Sequence, residues 1–396
     1  MPWGADAASA ARGRRDRRQT GGTRQRERRH HVNGPREDPI RRFLAARVAE
    51  GRMAGAAWWV GLVTRDGPLS SGAVGWAVTV PRREAIGAAT PFDLASLTKP
   101  LATATLLVLL EQEGRLDLGS PVGEQLSEIA ATPLGGASLV DLARHAAGLP
   151  AWQPLYLAAS GREEYARRIA ALPRAVAPGA TLYSDLGYIL LGFVLERVGG
   201  AELPRLFESR IAAPLALGRT GFAVAGRGYS DAAATEAGNA YERGLAGPAG
   251  AGHRWREHVL RGEVHDANAH ALGGAAGHAG LFGAAPDVAR LAQEILGGSR
   301  LGLDAAARRR LLGVGPGGRT VGWLAAAWSA AARAILPARA PGHTGFTGTS
   351  VWLDPERGAV FVLLSNRVHP TVPEREFTWV RRGFHRLATR LAASSA

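Results

Sequence analysis

Apolar and polar positions along the chain change rhythm twice. Residues 56–63 (Ala-Ala-Trp-Trp-Val-Gly-Leu-Val) read as a buried strand, and Arg65-Asp66-Gly67-Pro68 turns it into a second strand at 69–77. Ahead of them, residues 39–50 carry the spacing of a short amphipathic helix. A long middle stretch has helical spacing instead. The run 101–110 predicts a buried helix, with further helices at 138–145, 163–172 and 186–198, the last stopped by Gly199-Gly200. Ser184 or Asp185 suits its N-cap. Residues 221–285 are rich in Gly and Ala and show little periodicity, which predicts long ordered loops over a site. Helices resume at 285–296 and 304–312. From His343 the strand rhythm returns: Thr347, Thr349, Val351 and Leu353 alternate with Gly348, Ser350 and Trp352. Asp354-Pro-Glu-Arg-Gly358 turns into an apolar strand at 359–364, and 377–393 closes as a helix.

Strands therefore gather at both ends, with mainly helical and loop residues between. The economical fold is α+β: one antiparallel sheet built from both termini, packed with helices, plus a large mainly helical insertion. The sheet part is expected at about 39–90 and 320–396, and the helical part at about 91–319. No apolar run reaches the ~18 residues a membrane helix needs.

Charge changes the picture at one end only. The net charge is +14, and residues 1–42 hold 12 Arg against 5 acids, half of the excess. With almost no apolar residues, 1–38 is expected to be a disordered Arg-rich tail. It could touch phosphates of nucleic acid or lipid, but offers no specific nucleic-acid motif. It lacks an apolar core of the secretory kind, so the sequence as it stands is read as cytoplasmic, or periplasmic or extracellular if translation begins elsewhere. With no cysteine, disulfides and thiolate metal sites are excluded.

The chemistry starts at Ser96-Leu-Thr-Lys99-Pro100. Proline is comfortable only in a first helical turn, so the helix begins near Ser96 and sets Ser96 and Lys99 on one face. A hydroxyl there sits where orphan N–H groups favour developing negative charge. The 48 basic residues besides histidine comprise 47 Arg and one Lys, Lys99. Arginine does not give up its proton, whereas lysine can, and this chain keeps an amine at this one place.

Two further triplets follow, Tyr183-Ser184-Asp185 and His343-Thr344-Gly345, separated from Ser96 and from each other by 87 and 160 residues. In this order they resemble the S-x-x-K, Y-x-N and K-T-G elements of the serine β-lactamase and penicillin-binding-protein superfamily. The tyrosine resembles the class C β-lactamase, DD-peptidase and esterase branch. Leu142-Ala-Arg-His145-Ala-Ala-Gly148-Leu-Pro150 looks like that branch's L-x-x-H-x-S-G-L-P segment. Gly262-Glu-Val-His265-Asp266 and Gly277-His-Ala-Gly280-Leu-Phe resemble a low-molecular-mass penicillin-binding-protein-like subgroup.

The resemblance implies a serine hydrolase needing no cofactor or metal. Ser96 would form an acyl-enzyme with an ester or amide carbonyl, and Lys99 and Tyr183 would share the proton transfers. The N–H groups of Ser96 and Phe346 would form an oxyanion hole. Asp185, His343, Thr344, Gly345 and Phe346 would bind substrate, a small ester, β-lactam or peptide. Two departures bear on this. Asp185 stands in place of Asn and would favour the ammonium form of Lys99, moving the base role towards Tyr183. His343 replaces lysine and is mostly neutral at pH 7, which tilts the reading from β-lactamase towards an esterase or DD-peptidase. The alternatives are a D-alanyl-D-alanine carboxypeptidase acting on peptidoglycan peptides and a non-catalytic binder of cell-wall peptides or a partner. His265, Asp266, His270 and His278 lack the spacing of a metal motif. Gly313-Val-Gly315-Pro-Gly-Gly318 follows a helix, where a dinucleotide loop needs a strand.

Overall fold

The computed structural model describes residues 38–224, 228–374 and 376–395. Of the expected tail only Asp38 falls among them, and it belongs to the folded body. Its carboxylate accepts the N–H of Ile40 at 2.8 Å, capping the helix Pro39–Ala49, and the hydroxyl of Ser70 at 2.6 Å.

Seven strands form the main sheet: β1 (Gly55–Leu62), β2 (Ser70–Val78), β3 (Glu84–Ala85), and, from the far end of the chain, β7 (Leu324–Ala325), β8 (Pro341–Thr344), β9 (Ser350–Asp354) and β10 (Ala359–Ser365). Their order is β3-β2-β1-β10-β9-β8-β7, every pairing antiparallel. The two chain ends meet where β1 pairs β10, Trp58 opposite Leu363. That confirms an α+β fold with its sheet built from both ends.

Period-two alternation divides β1 and β10 between two cores. Trp58, Val60, Phe361 and Leu363 face one side with Ile40, Leu44, Phe384 and Ala388, beneath the helices Pro39–Ala49 and Thr378–Ala393. Trp59, Val360, Val362 and Leu364 face the other side, against Leu101, Leu107, Leu191 and Leu291 of the helical body. A strand buried on both faces reads as a continuous apolar run, which is why β1 and β10 show in the sequence.

Two expectations need correcting. Thr347 and Thr349 are not strand residues; they lie in the connection between β8 and β9, where Gly348 takes a φ of +107° that ends strand geometry. The stretch 221–285 is more ordered than loops: it holds the helices Ala240–Ala246 and Ala267–Ala271. It also contributes to a three-stranded sheet in which β6 (Leu281–Gly283) lies between β4 (Phe92–Asp93) and β5 (Thr220–Phe222). Strands of two or three residues are too short to show a period. No helix among the described residues is long and apolar enough to cross a membrane.

Candidate active site

The site begins at the turn out of β4. Ala95 adopts φ +49°, a left-handed conformation that costs a residue with a Cβ about 1 kcal/mol or more. The surroundings hold it there. Asp93 accepts the N–H of Ala95 at 2.8 Å, and the Thr98 hydroxyl donates to the Ala95 carbonyl at 2.7 Å. Thr347 and Thr349 donate their hydroxyls to the carbonyls of Asp93 and Leu94 at 2.7 and 3.1 Å. The helical run that follows starts with Ala95–Leu97 and continues through a wider-wound Lys99–Ala104 into Thr105–Gln112. Pro100 sits in its first turn, as its missing N–H requires.

Lys99 is wholly buried. Its Nζ donates to Ser96 Oγ at 2.9 Å and to the His278 carbonyl at 3.1 Å, and lies 2.7 Å from Asp185 Oδ1. The carbonyl of His278 reaches the amine because Gly277 packs directly on the helix Asp185–Gly199. A Cβ on Gly277 would stand 2.0 Å from the Tyr188 carbonyl oxygen. Thr103 secures the same segment by donating to the Gly277 carbonyl at 2.6 Å.

Tyr183 arrives from the other side, its hydroxyl 2.9 Å from Ser96 Oγ. His145, itself at φ +59°, sets its place: its carbonyl accepts the Leu182 N–H at 3.0 Å and its Nδ1 accepts the Ser184 N–H at 3.1 Å. Its ring lies against the Tyr183 ring with centroids 4.6 Å apart. Neither expected N-cap acts as one. Ser184 occupies the cap position, but its hydroxyl donates to the Pro150 carbonyl at 2.6 Å, and the Asp185 carboxylate turns to the Lys99 ammonium. The side chains expected to cap the helix serve the site instead.

The electrostatics follow from burial and this ion pair. Burial alone pushes the Lys99 pKa down, but the charges of Asp185 and Tyr183 outweigh it, and the net shift is upward. Burial raises Tyr183, only partly opposed by the Lys99 charge. His343 and His145 are pushed well below the ordinary imidazole value, by burial first and then by the Lys99 and Arg319 charges, so both are neutral at pH 7. The His343 Nδ1 pairs with the Thr344 carbonyl at 2.9 Å, which fixes the ring at the end of β8.

Thr344, Gly345 and Phe346 carry β8 past Ser96. Gly345 donates its N–H to the Thr349 carbonyl at 2.9 Å, and its own carbonyl accepts from Arg381 at 2.6 Å. Phe346 offers its carbonyl to Arg367 at 3.0 Å. Ser96 and Phe346 border two cavities. One of about 700 Å³ is lined by Tyr183, Arg319, His343, Thr344, Gly345 and Arg381. Another of about 350 Å³ also borders Ser96 but not Tyr183.

All eight residues singled out in the sequence thus border one cleft or, for Lys99, lie directly beneath it. Sequence reasoning missed Arg319, whose guanidinium lies 5.6 Å from the Tyr183 ring centre, and the supports Asp93, Arg367 and Arg381. Among 47 arginines nothing marks those three. Two histidines of the loop region are spent on pairs, His265 with Glu236 and His278 with Asp266, both at 2.9 Å.

Comparison with known proteins agrees with this geometry. The beta-lactamase family model matches residues 40–383. The chain belongs to the beta-lactamase family. It is a serine hydrolase of that family. A protein of Salmonella agona (strain SL483) named "Putative D-alanyl-D-alanine carboxypeptidase" is 32% identical over 311 residues, covering 72% of this chain and 71% of the relative. Two solved structures share the beta-lactamase fold at lower identity. A class C beta lactamase from Rhodobacter sphaeroides has a TM-score of 0.67 at 20% identity, over 89% of this chain and 98% of that one. EstCE1, a hydrolase with promiscuous acyltransferase activity, has a TM-score of 0.65 at 23% identity, over 88% and 97%.

Proposed function

We propose that Ser96 is the nucleophile of an acyl-enzyme hydrolase whose substrate is an ester or amide with a carboxylate on its leaving group. A D-alanyl-D-alanine carboxypeptidase is the amide form of that chemistry. The carrying observation is the position of Ser96 Oγ, 2.9 Å from both Lys99 Nζ and the Tyr183 hydroxyl.

The upward shift of Lys99 keeps its nitrogen protonated, so it acts as a fixed cation and Tyr183 moves the protons. Ser96 Oγ attacks the carbonyl carbon and passes its proton to the Tyr183 oxygen as the Tyr183 proton passes to the leaving-group atom. The C–O or C–N bond breaks with its electron pair going to the departing group. Water then reverses the relay: it attacks the acyl carbon, gives its proton to Tyr183, and Tyr183 returns one to Ser96 Oγ. The N–H groups of Ser96 and Phe346 serve the carbonyl oxygen as it gains charge, and one such donor lowers a barrier by about 3 kcal/mol.

The cation for the carboxylate is Arg319. His343 is neutral, whereas Arg319 lines the same cavity as Tyr183 and forms no ion pair with a carboxylate among the described residues. Arg381, similarly without an acidic partner there, adds to the field.

Labelling with a fluorescent penicillin and with a fluorophosphonate, on wild type and Ser96→Ala, tests the reading. Both probes label wild type if the cleft accepts peptide-like carboxylates, and neither labels the variant. Fluorophosphonate labelling alone supports an esterase without the carboxylate requirement, and equal labelling of the variant removes Ser96 as nucleophile.

A further inference from the structure

Tyr183 lines the 700 Å³ cavity and is absent from the walls of the 350 Å³ one. On the proposed chemistry Tyr183 protonates the leaving group, so the leaving group departs on the arginine side and the acyl part projects into the smaller cavity. The smaller cavity has four carboxylates around it, Asp93, Asp185, Glu242 and Asp266, and no arginine. A cationic acyl group is the obvious guess, but the hydrogen bonds speak against it. Asp93 is committed to the N–H groups of Ala95 and His265, both at 2.8 Å. Asp266 takes the Ala269 N–H at 2.7 Å and the His278 ring at 2.9 Å. Glu242 accepts the Ala267 N–H at 2.8 Å through one oxygen, and its other oxygen is shut away from solvent. Asp185 holds Lys99.

The largest side chains left to meet a ligand are aromatic or aliphatic. The Tyr241 and Phe346 rings sit 4.9 Å apart in the lining, which also includes Trp152. Tyr241 is 40% exposed and Leu245 is 52% exposed, one turn apart on the helix Ala240–Ala246. They are two of the five large apolar side chains left open among the described residues. Open apolar surface continuous with a reactive centre gains when a ligand covers it.

We infer that the cavity walled by Trp152, Tyr241, Leu245 and Phe346 is the acyl subsite, and that it takes an apolar, ring-bearing acyl group rather than a charged one. This rests on Ser96 acting as the nucleophile. A ring against a methyl group in such a pocket is worth roughly tenfold or more in kcat/KM.

The test uses thioesters of thioglycolate, which share one carboxylate-bearing leaving group and differ in the acyl part: acetyl, phenylacetyl and glycyl, the last an ammonium. The chain has no cysteine, so the released thiol is read directly with a thiol reagent. The full-length protein should turn over phenylacetyl at least tenfold faster in kcat/KM than acetyl, with glycyl the poorest. Leu245→Arg should bring the phenylacetyl-to-acetyl ratio to within about threefold of one, and Tyr241→Ser should lower it too. If Leu245→Arg does not fold, Tyr241→Ser alone decides. Turnover that depends on Ser96 but favours acetyl or glycyl, or a ratio unmoved by the variants, overturns the subsite and leaves the hydrolase standing. No turnover of any thioester, together with no penicillin adduct on Ser96, overturns both.

Discussion

At the scale of single residues the site turns on where one proton sits. The buried Lys99 and the half-buried Asp185 form an ion pair beside Ser96 Oγ, and the pair keeps the amine protonated. Tyr183→Phe keeps the ring that packs on His145 and loses only the hydroxyl, so the fold should hold while acylation falls by about 10²–10⁴. Stopped-flow acylation by a chromogenic ester measures it; a loss under threefold would take the relay away from Tyr183. Asp185→Asn should act differently. Without the carboxylate, burial, already the largest single influence on Lys99, loses its main opponent and the pKa falls. The variant's acylation rate should then rise with pH as the amine loses its proton, whereas wild type shows no such limb below the ordinary lysine range. Matching pH profiles would contradict the assigned role of Asp185. At this scale the sequence was most legible: a lone lysine among arginines, three residues from a serine, needs no tertiary information. Arg319 was not legible, because nothing local distinguishes one arginine from 46 others.

At the scale of elements, the site is assembled by close backbone approaches that glycines permit. Gly345 packs so tightly that a Cβ would stand 2.1 Å from Thr349 Oγ1 and 2.6 Å from the Leu94 carbonyl oxygen. Gly345→Ala must therefore push the end of β8 away from the turn that carries Ser96. Overpacking of this kind costs about 1–3 kcal/mol, and acylation should fall together with the thermal midpoint. A variant melting as wild type and acylating as fast would show that the contact does not position Ser96. Gly277, pressed on Tyr188, does the same for the carbonyl that holds Lys99. The sequence revealed β1 and β10, whose runs are buried on both faces, and β2, marked by the turn at 65–68 that precedes it. Those it hid, β3 to β7, are two or three residues each, and the pairing of β4 with β6 joins Phe92 to Gly283, 191 residues away. The threonines 347 and 349 imitated a strand because alternation is equally the pattern of hydroxyls turned towards one neighbour, here the carbonyls of Asp93 and Leu94.

For the whole molecule, the chain's two ends close one sheet through the β1–β10 pairing, and the helical body rests on one face of it. Buried histidines make this fold sensitive to acid. His145 and His343 titrate well below the usual range through burial and neighbouring cations, and burial with the Arg381 charge brings His385 down to about 3. A histidine depressed in the folded state binds its proton in the unfolded chain first. Its stabilisation is therefore complete above pH 6.5 and is lost as pH falls, by about 1.4 kcal/mol per pH unit for each group. Burial and the Asp266 charge hold Glu242 up at about 8, which acts in the opposite sense over this interval, and burial raises Asp93 in that same opposite sense. The three histidines outnumber these two carboxyls, so the urea midpoint should be lower at pH 5 than at pH 7. A midpoint that rises on acidification would contradict the burial assigned to these rings.

The account depends first on Ser96 carrying the acyl group. The most direct measurement is intact-protein mass spectrometry after brief exposure to a slowly hydrolysed penicillin, with peptide mapping of the adduct. One acyl group per chain on the peptide bearing Ser96, absent from Ser96→Ala, is the expected result. An adduct on any other residue, or the same mass gain in Ser96→Ala, would contradict it.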